Sequence, residues 1–204
     1  MNGHALHPLM TRAAAEAARI ARGVRKEHLD GPTPCTDFDT RALINHWVLY
    51  TAHGLERRAR REALPQELVA CDFTAAPAWA DAYADQLGRA VAAWAEPAVW
   101  EGEVDLGGMA MPAVTVAQMV IKEMVVHGWD VAQATGQRLE VQDDLAQMVL
   151  DVVEEHAEVY RQYGGFAAPV PVPATASLLD RVLASSGRDP RWAAPTATSL
   201  TSPA

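Results

Sequence analysis

Thr115-Val116-Ala117-Gln118-Met119-Val120-Ile121-Lys122-Glu123-Met124-Val125-Val126-His127 is the stretch whose reading decides the fold. Thr115 and Gln118 stand in the T-x-x-Q pattern, in which the two side chains cap backbone N–H groups at a helix start. Val116, Met119, Val120, Glu123 and His127 then recur at three- and four-residue spacing, so they share one helical face. The helix runs to about Thr135, and Gly136 is its stop.

Outward from it, the chain reads as helices separated by stop signals. Residues 99 to 114, rich in glycine with alternating apolar residues, read as two short strands or an extended excursion turning at Gly107-Gly108. A third helix, from Pro77 to Pro97, carries Trp79, Tyr83, Leu87, Val91 and Trp94. The second starts at Asp39 as N-cap, carries Leu43, His46, Trp47, Tyr50 and Gly54, and ends by Pro65. Residues 31 to 36, with two prolines and a glycine, are a loop. The first helix spans Pro8 to Val24 on a stripe of Leu9, Ala13, Ala17 and Ile20. Beyond Gly136 come a fifth helix, Asp143 to Tyr163, an extended run over 169–173, and a short helix, Thr175 to Ser185, closed by Gly187 and Pro190. The expectation is all-α: an antiparallel four-helix bundle with a short β excursion between helices three and four and extra C-terminal helices. Residues 1–192 form one domain, and 193–204, rich in Thr, Ser, Ala and Pro, a disordered tail.

Composition excludes several function classes. The chain has 204 residues, half of them apolar, and a formal net charge of −9. An acidic chain has no general attraction for nucleic acid or anionic membranes. The exception, Glu56-Arg57-Arg58-Ala59-Arg60-Arg61-Glu62, reads as a solvated face near a helix C-terminus. No apolar run is long enough to span a bilayer, and no secretory signal opens the chain. Cys35 and Cys71 match no zinc-ribbon or redox spacing. The reading is a cytoplasmic protein that acts on small molecules.

The chemistry is concentrated in Glu123 and His127. Four residues apart on a face that otherwise packs the core, both point inward. A buried carboxylate is costly unless paired or coordinated to a metal. His46 lies on the inward stripe of the second helix, where a facing helix could bring it opposite that pair. Two readings stay open: a buried His–Glu network, or a divalent ion on three protein ligands with an open position, as in catalytic sites.

The segments Thr33-Pro34-Cys35-Thr36-Asp37-Phe38-Asp39, Leu43-Ile44-Asn45-His46 and Val126-His127-Gly128-Trp129-Asp130-Val131-Ala132 together resemble a known family. They are similar to DinB-like proteins related to the N-terminal domain of mycothiol-dependent maleylpyruvate isomerase. Leu178-Leu179-Asp180-Arg181 and Ser186-Gly187-Arg188-Asp189-Pro190 resemble the close of an uncharacterised, actinobacterial-type metal-binding branch of that group. The likeness covers about residues 8 to 192. It implies a DinB-type bundle whose metal ligands fall on His46, Glu123 and His127. Zinc is the expected ion, with nickel, iron and manganese left open. It implies a mycothiol-like thiol as co-substrate and an electrophilic second substrate, hence isomerisation of a cis double bond or S-transfer. The alternative is a metal-containing binding module without turnover. The stretch after helix four is shorter than the isomerases' C-terminal domain, so part of their substrate pocket is expected to be missing.

Within that reading, Asp130, three residues after His127, is the candidate catalytic residue, orienting substrate or imidazole, against a plain structural hydrogen bond. His53, two α-helical turns after His46, is the candidate cofactor-binding residue at the mouth of the site, against an ordinary surface histidine. Trp47, Trp79, Trp94 and Trp129 read as core, and Cys35 as a small buried residue. No arginine is singled out as a carboxylate binder. A homodimer through bundle faces is left open.

Overall fold

The computed structural model describes residues 3 to 194; the expected tail from Pro195 onward lies outside them. Eight α-helices are present among the described residues: α1 (Gly3–Arg22), α2 (Thr40–Val48), α3 (Gly54–Ala59), α4 (Gln66–Val69), α5 (Trp79–Ala93), α6 (Ala113–Ala134), α7 (Asp143–Gln162) and α8 (Leu178–Ser185). A π turn, Leu49–His53, joins α2 to α3 as one rod. Helix α1 packs against α5 and α6, α2 against α6, and α3 against α5. These four rods are the bundle; α7 lies on α6, and α8 on α7. None of the described helices is long and apolar enough to cross a membrane.

Helix α6 is the axis. It is apolar almost all round because α1, α2 and α7 cover it. Its neighbour α2 comes in close over Gly128, where an added Cβ would lie 3.3 Å from the Trp47 ring. Trp47, Ile44 and Leu43 are wholly buried in that contact zone, which carries His46 to the face of α6. The four tryptophans read as core are buried.

Local signals explain most boundaries. Asp39 caps α2, its Oδ1 accepting from Ala42 N at 2.8 Å. Gly136, Gly164 and Gly187 all have positive φ, the left-handed conformation that closes a helix at little cost to glycine. The strands β1 (Glu103–Asp105) and β2 (Ala110–Pro112) pair antiparallel with Val104 opposite Met111. Asp105 Oδ1 accepts from Gly107 N and Gly108 N, both at 2.9 Å, and so holds the turn.

Four expectations are corrected. The Thr115/Gln118 capping box does not form: α6 already begins at Ala113, with no side-chain cap, because β2 runs directly into it. Helix α1 begins at Gly3 and holds Pro8 inside it, at the loss of one backbone hydrogen bond. The second rod ends at Ala59 rather than near Pro65, since Arg61 turns left-handed (φ 57°) and its guanidinium donates to Val99 O and Glu101 O. It is also not a regular α-helix. Thr51 Oγ1 donates to Trp47 O, and Gly54 N reaches back five residues to Leu49 O. Such side-chain competition loosens a helix.

Candidate metal centre

Helix α6 presents Lys122, Glu123, His127 and Asp130 toward α2 and the C-terminal segment. The ring of His127 lies between two carboxylates. Its Nδ1 is 2.9 Å from Asp130 Oδ2, and its Nε2 is 3.0 Å from Glu123 Oε2. Asp130, at 0% exposure, is gripped by the guanidinium of Arg188, with Nη2 to Oδ2 at 3.1 Å and Nε to Oδ1 at 3.3 Å. Arg188 also donates to Ser186 O. Burial opposes ionisation of Asp130, but Arg188 and His127 outweigh it and hold the carboxyl below its usual range. An ionised Asp130 accepts from Nδ1–H, which leaves His127 Nε2 free to act as a lone-pair donor.

Glu123 is fixed in the same way. Its Oε1 pairs with the buried ammonium of Lys122, which lies 4.3 Å over the Tyr160 ring and 5.4 Å over the Phe166 ring. Burial opposes the charged form of both groups. Their mutual attraction wins, so Lys122 is raised and Glu123 is held well below the usual carboxylate range. The other oxygen, Oε2, is buried and has no hydrogen-bond partner among the described residues. His46 completes the group from α2, its Nε2 3.6 Å from the same Oε2. Its ring is held by Phe38, Tyr50 and His127, with centroids at 5.3, 4.7 and 5.1 Å.

The residues fit a divalent ion. Two imidazole nitrogens and one carboxylate oxygen face one another, and all lie within 4.8 Å. A bare carboxylate oxygen and an unprotonated imidazole nitrogen at 3.0 Å would both be acceptors, so the pair needs either a proton or a metal ion between them. A proton on His127 meets that need in part, and the imidazole is accordingly raised: burial lowers it, but Glu123 and Asp130 raise it more. A metal ion meets it for His46 as well. Ligand atoms about 2.0–2.2 Å from a tetrahedral ion stand a little over 3 Å apart, and the observed separations of 3.0 and 3.6 Å are close to that. A second set, Cys35, His127 and Asp130, is equally compact. It is the poorer one: His127 and Asp130 already bond each other, and burial pushes the Cys35 thiol up to about 11.

Two cavities meet at Glu123, His46 and Tyr160. One, about 300 Å³, is the more polar of the two and is walled by Cys35, Lys122, His127 and Arg188 among others, though most of its exposed lining is apolar. The other, about 170 Å³, lies between α2 and α6 and is walled by Leu106, Val116, Met119 and Val120 together with Tyr50 and Arg58.

His46, Glu123, His127 and Asp130 are thus brought together. His53 is not: it lines neither cavity and stacks on Phe73 with ring centroids 5.2 Å apart. The π turn adds one residue between it and His46, which rotates the rest of the rod by about 100°. Arg58 takes the cavity-facing position instead. Sequence reasoning did not single out Lys122, Tyr160, Arg58 or Arg188, and took Cys35 for a packing residue, though it borders the polar cavity. A lysine inside the apolar run of α6 was the one available signal for Lys122.

Comparison with known proteins agrees with this architecture. A mycothiol-dependent maleylpyruvate isomerase of known structure superposes with TM-score 0.65 at 17% identity, covering 92% of this chain and 90% of that one. A variant of that isomerase with one histidine replaced by alanine gives TM-score 0.63 at 16% identity. The expected shortfall at the C-terminus is therefore corrected: the superposition takes in nearly the whole of the isomerase chain, and Phe166 and Arg188 here wall the polar cavity. An uncharacterized protein of Mycobacterium tuberculosis, found in strains CDC 1551 and H37Rv, is 31% identical, covering 91% of this chain and 100% of its own. Residues 10–132 match the model of the mycothiol maleylpyruvate isomerase N-terminal domain. The chain belongs to that family.

Proposed function

We propose that this protein is a metal-dependent enzyme that activates a low-molecular-weight thiol of the mycothiol type for addition to an electrophile, with isomerisation or S-transfer as the outcome. The observation that supports it most is the buried Glu123 Oε2, which makes no hydrogen bond among the described residues and lies 3.0 and 3.6 Å from two imidazole nitrogens, at a residue where two cavities meet. His46, Glu123 and His127 would hold a divalent ion, zinc being the expected one. The chemistry such an ion supplies is a lowered thiol pKa, so that the sulfur reacts as thiolate.

The chain's own residues do the rest. Arg188 keeps Asp130 ionised, Asp130 fixes the His127 tautomer, and His127 Nε2 is thereby aimed at the site. Asp130 is thus a positioning residue rather than one that touches substrate. Lys122 takes one oxygen of Glu123 and leaves the other pointing inward. The more polar cavity, with Lys122, Arg188 and the backbone of Gly164-Gly165 in its wall, suits a hydroxyl-rich thiol. The apolar cavity on the other side of Glu123 suits the electrophile. The thiol-dependent isomerase of known structure shares the fold, and the family shares the name, which favours turnover over a silent binding module.

The test is elemental analysis together with thiol consumption. Wild type is expected to carry stoichiometric metal and to consume mycothiol with a cis-alkene or an alkylating electrophile. His46→Ala and His127→Ala are expected to lose both. A metal-free wild type after incubation with divalent ions would overturn the metal reading. A metal-loaded wild type that binds no thiol would overturn the enzymatic one.

A further inference from the structure

Arg58 is singled out by its surroundings. Its guanidinium folds back across Gly54, where an added Cβ would lie 2.5 Å from Nη1, and donates to Tyr50 O at 3.3 Å. That is its one hydrogen bond among the described residues, out of five N–H donors. Among the same residues it forms no ion pair and lies 6.0 Å from the Tyr50 ring centroid, whereas its neighbours Arg57 and Arg60 pair with Glu62 and Glu56. Burial pulls its pKa down, and only Tyr50 and the charge of Glu123 act the other way. Glu123 is already engaged by Lys122. Arg58 is therefore a cation with spare donors on the wall of a cavity whose other sides are largely apolar.

We propose that the cavity between α2 and α6 seats a monocarboxylate with an apolar body, its carboxylate taken by Arg58 and its hydrocarbon part by Leu106, Val116, Met119 and Val120. This deepens the function proposed above and rests on it: the carboxylate belongs to the electrophile, whose reactive carbon would lie on the Glu123 side. Size and charge set the class. A dry cavity of about 150 Å³ accommodates benzene, so about 170 Å³ suits a body of similar size. A planar guanidinium pairs with a carboxylate through two parallel hydrogen bonds. A second carboxylate on the same ligand would have to lie among Leu106, Val116 and Met119, where burial of an unpaired charge is costly.

The test uses titration calorimetry on metal-loaded protein, with hexanoate, hexanamide and adipate as probes. Hexanoate is expected to bind at least about tenfold more tightly than either of the others. Arg58→Gln is expected to lose at least about tenfold in hexanoate affinity and to keep its weak hexanamide binding. Met119→Trp, which fills the cavity with Arg58 untouched, is expected to lose hexanoate binding altogether. No hexanoate binding in wild type, equal hexanoate affinity in wild type and Arg58→Gln, or hexanoate binding that survives Met119→Trp would overturn the proposal. Displacement of hexanoate by mycothiol would also overturn it, since the cavity would then be the thiol's. Thiol consumption, measured on the same preparations, separates the two readings. Hexanoate binding without thiol turnover overturns the enzyme and leaves Arg58 a carboxylate binder; thiol turnover without hexanoate binding overturns only the role of Arg58.

Discussion

The α6 half of the site and the α2 half are built differently. On α6, His127 and Glu123 are each held by a charged neighbour, Asp130 with Arg188 behind it and Lys122 respectively. On α2, His46 makes no side-chain hydrogen bond among the described residues and is placed by ring contacts and a 3.6 Å approach to Glu123 Oε2, with its side chain 30% exposed. The first half is pre-organised by a buried network whose members fail together. The second is positioned by packing and can be altered singly. Stability and ligand capture should therefore respond in opposite proportion on the two sides.

The largest expected effect tests the network. Arg188→Met leaves Asp130 buried with His127 as its one remaining charged partner, and should cost about 3 kcal/mol or more in urea unfolding of metal-free protein. A loss under about 1 kcal/mol would mean that the network is not what stabilises the α6 half. Next, Asp130→Asn removes the anion that fixes the His127 tautomer, and with it the counter-charge of Arg188, while keeping the side-chain shape. Metal affinity, read by competition with a chromogenic chelator, should fall by about 10- to 100-fold. An unchanged affinity would return Asp130 to a plain structural bond.

The smaller effects sharpen the contrast. His46→Ala should abolish tight metal binding yet change the unfolding free energy of metal-free protein by about 1 kcal/mol or less. A large loss would show the halves to be equally structural. The last test is pH. His127 is raised in the folded protein above its ordinary value of 6.5. Its contribution is therefore full below 6.5 and is lost as pH rises through the raised folded value. Metal-free His127→Gln should lack that decline toward alkaline pH, and metal-free His46→Ala should retain it. The depressed Glu123 and Asp130 act oppositely: their contribution is present above the ordinary carboxylate range and is lost on acidification.

The two halves were also unequally legible in the sequence. The α6 half could be read because Glu123 and His127 share a regular helical spacing, and the stops at Gly136, Gly164 and Gly187 are local signals, as the cap at Asp39 is for the start of α2. The partners of that half could not be read. Arg188 meets Asp130 across 58 residues, and no spacing rule reaches that far. On the α2 half, the spacing argument that placed His46 failed at His53, because a π turn is an insertion in geometry without an insertion in sequence. The same turn made Arg58, one of a run of arginines that read as solvated, the residue facing the cavity. The helix start at Ala113 was misjudged for a similar reason: Thr115 and Gln118 have the residue types of a cap, but a strand leads straight into the helix ahead of them.

The contact between Arg188 and Asp130 also orders events in time. During synthesis the bundle helices, with all three candidate ligands, emerge well before residue 188. At about 5–20 residues per second, the 58 residues between the two partners take several seconds to make. Until then Asp130 lacks its guanidinium, and the charge that holds the His127 tautomer lacks its main support. A nascent chain thus carries its candidate ligands in an unfinished state, and the α6 half of the site is complete only after the segment around Arg188 has docked.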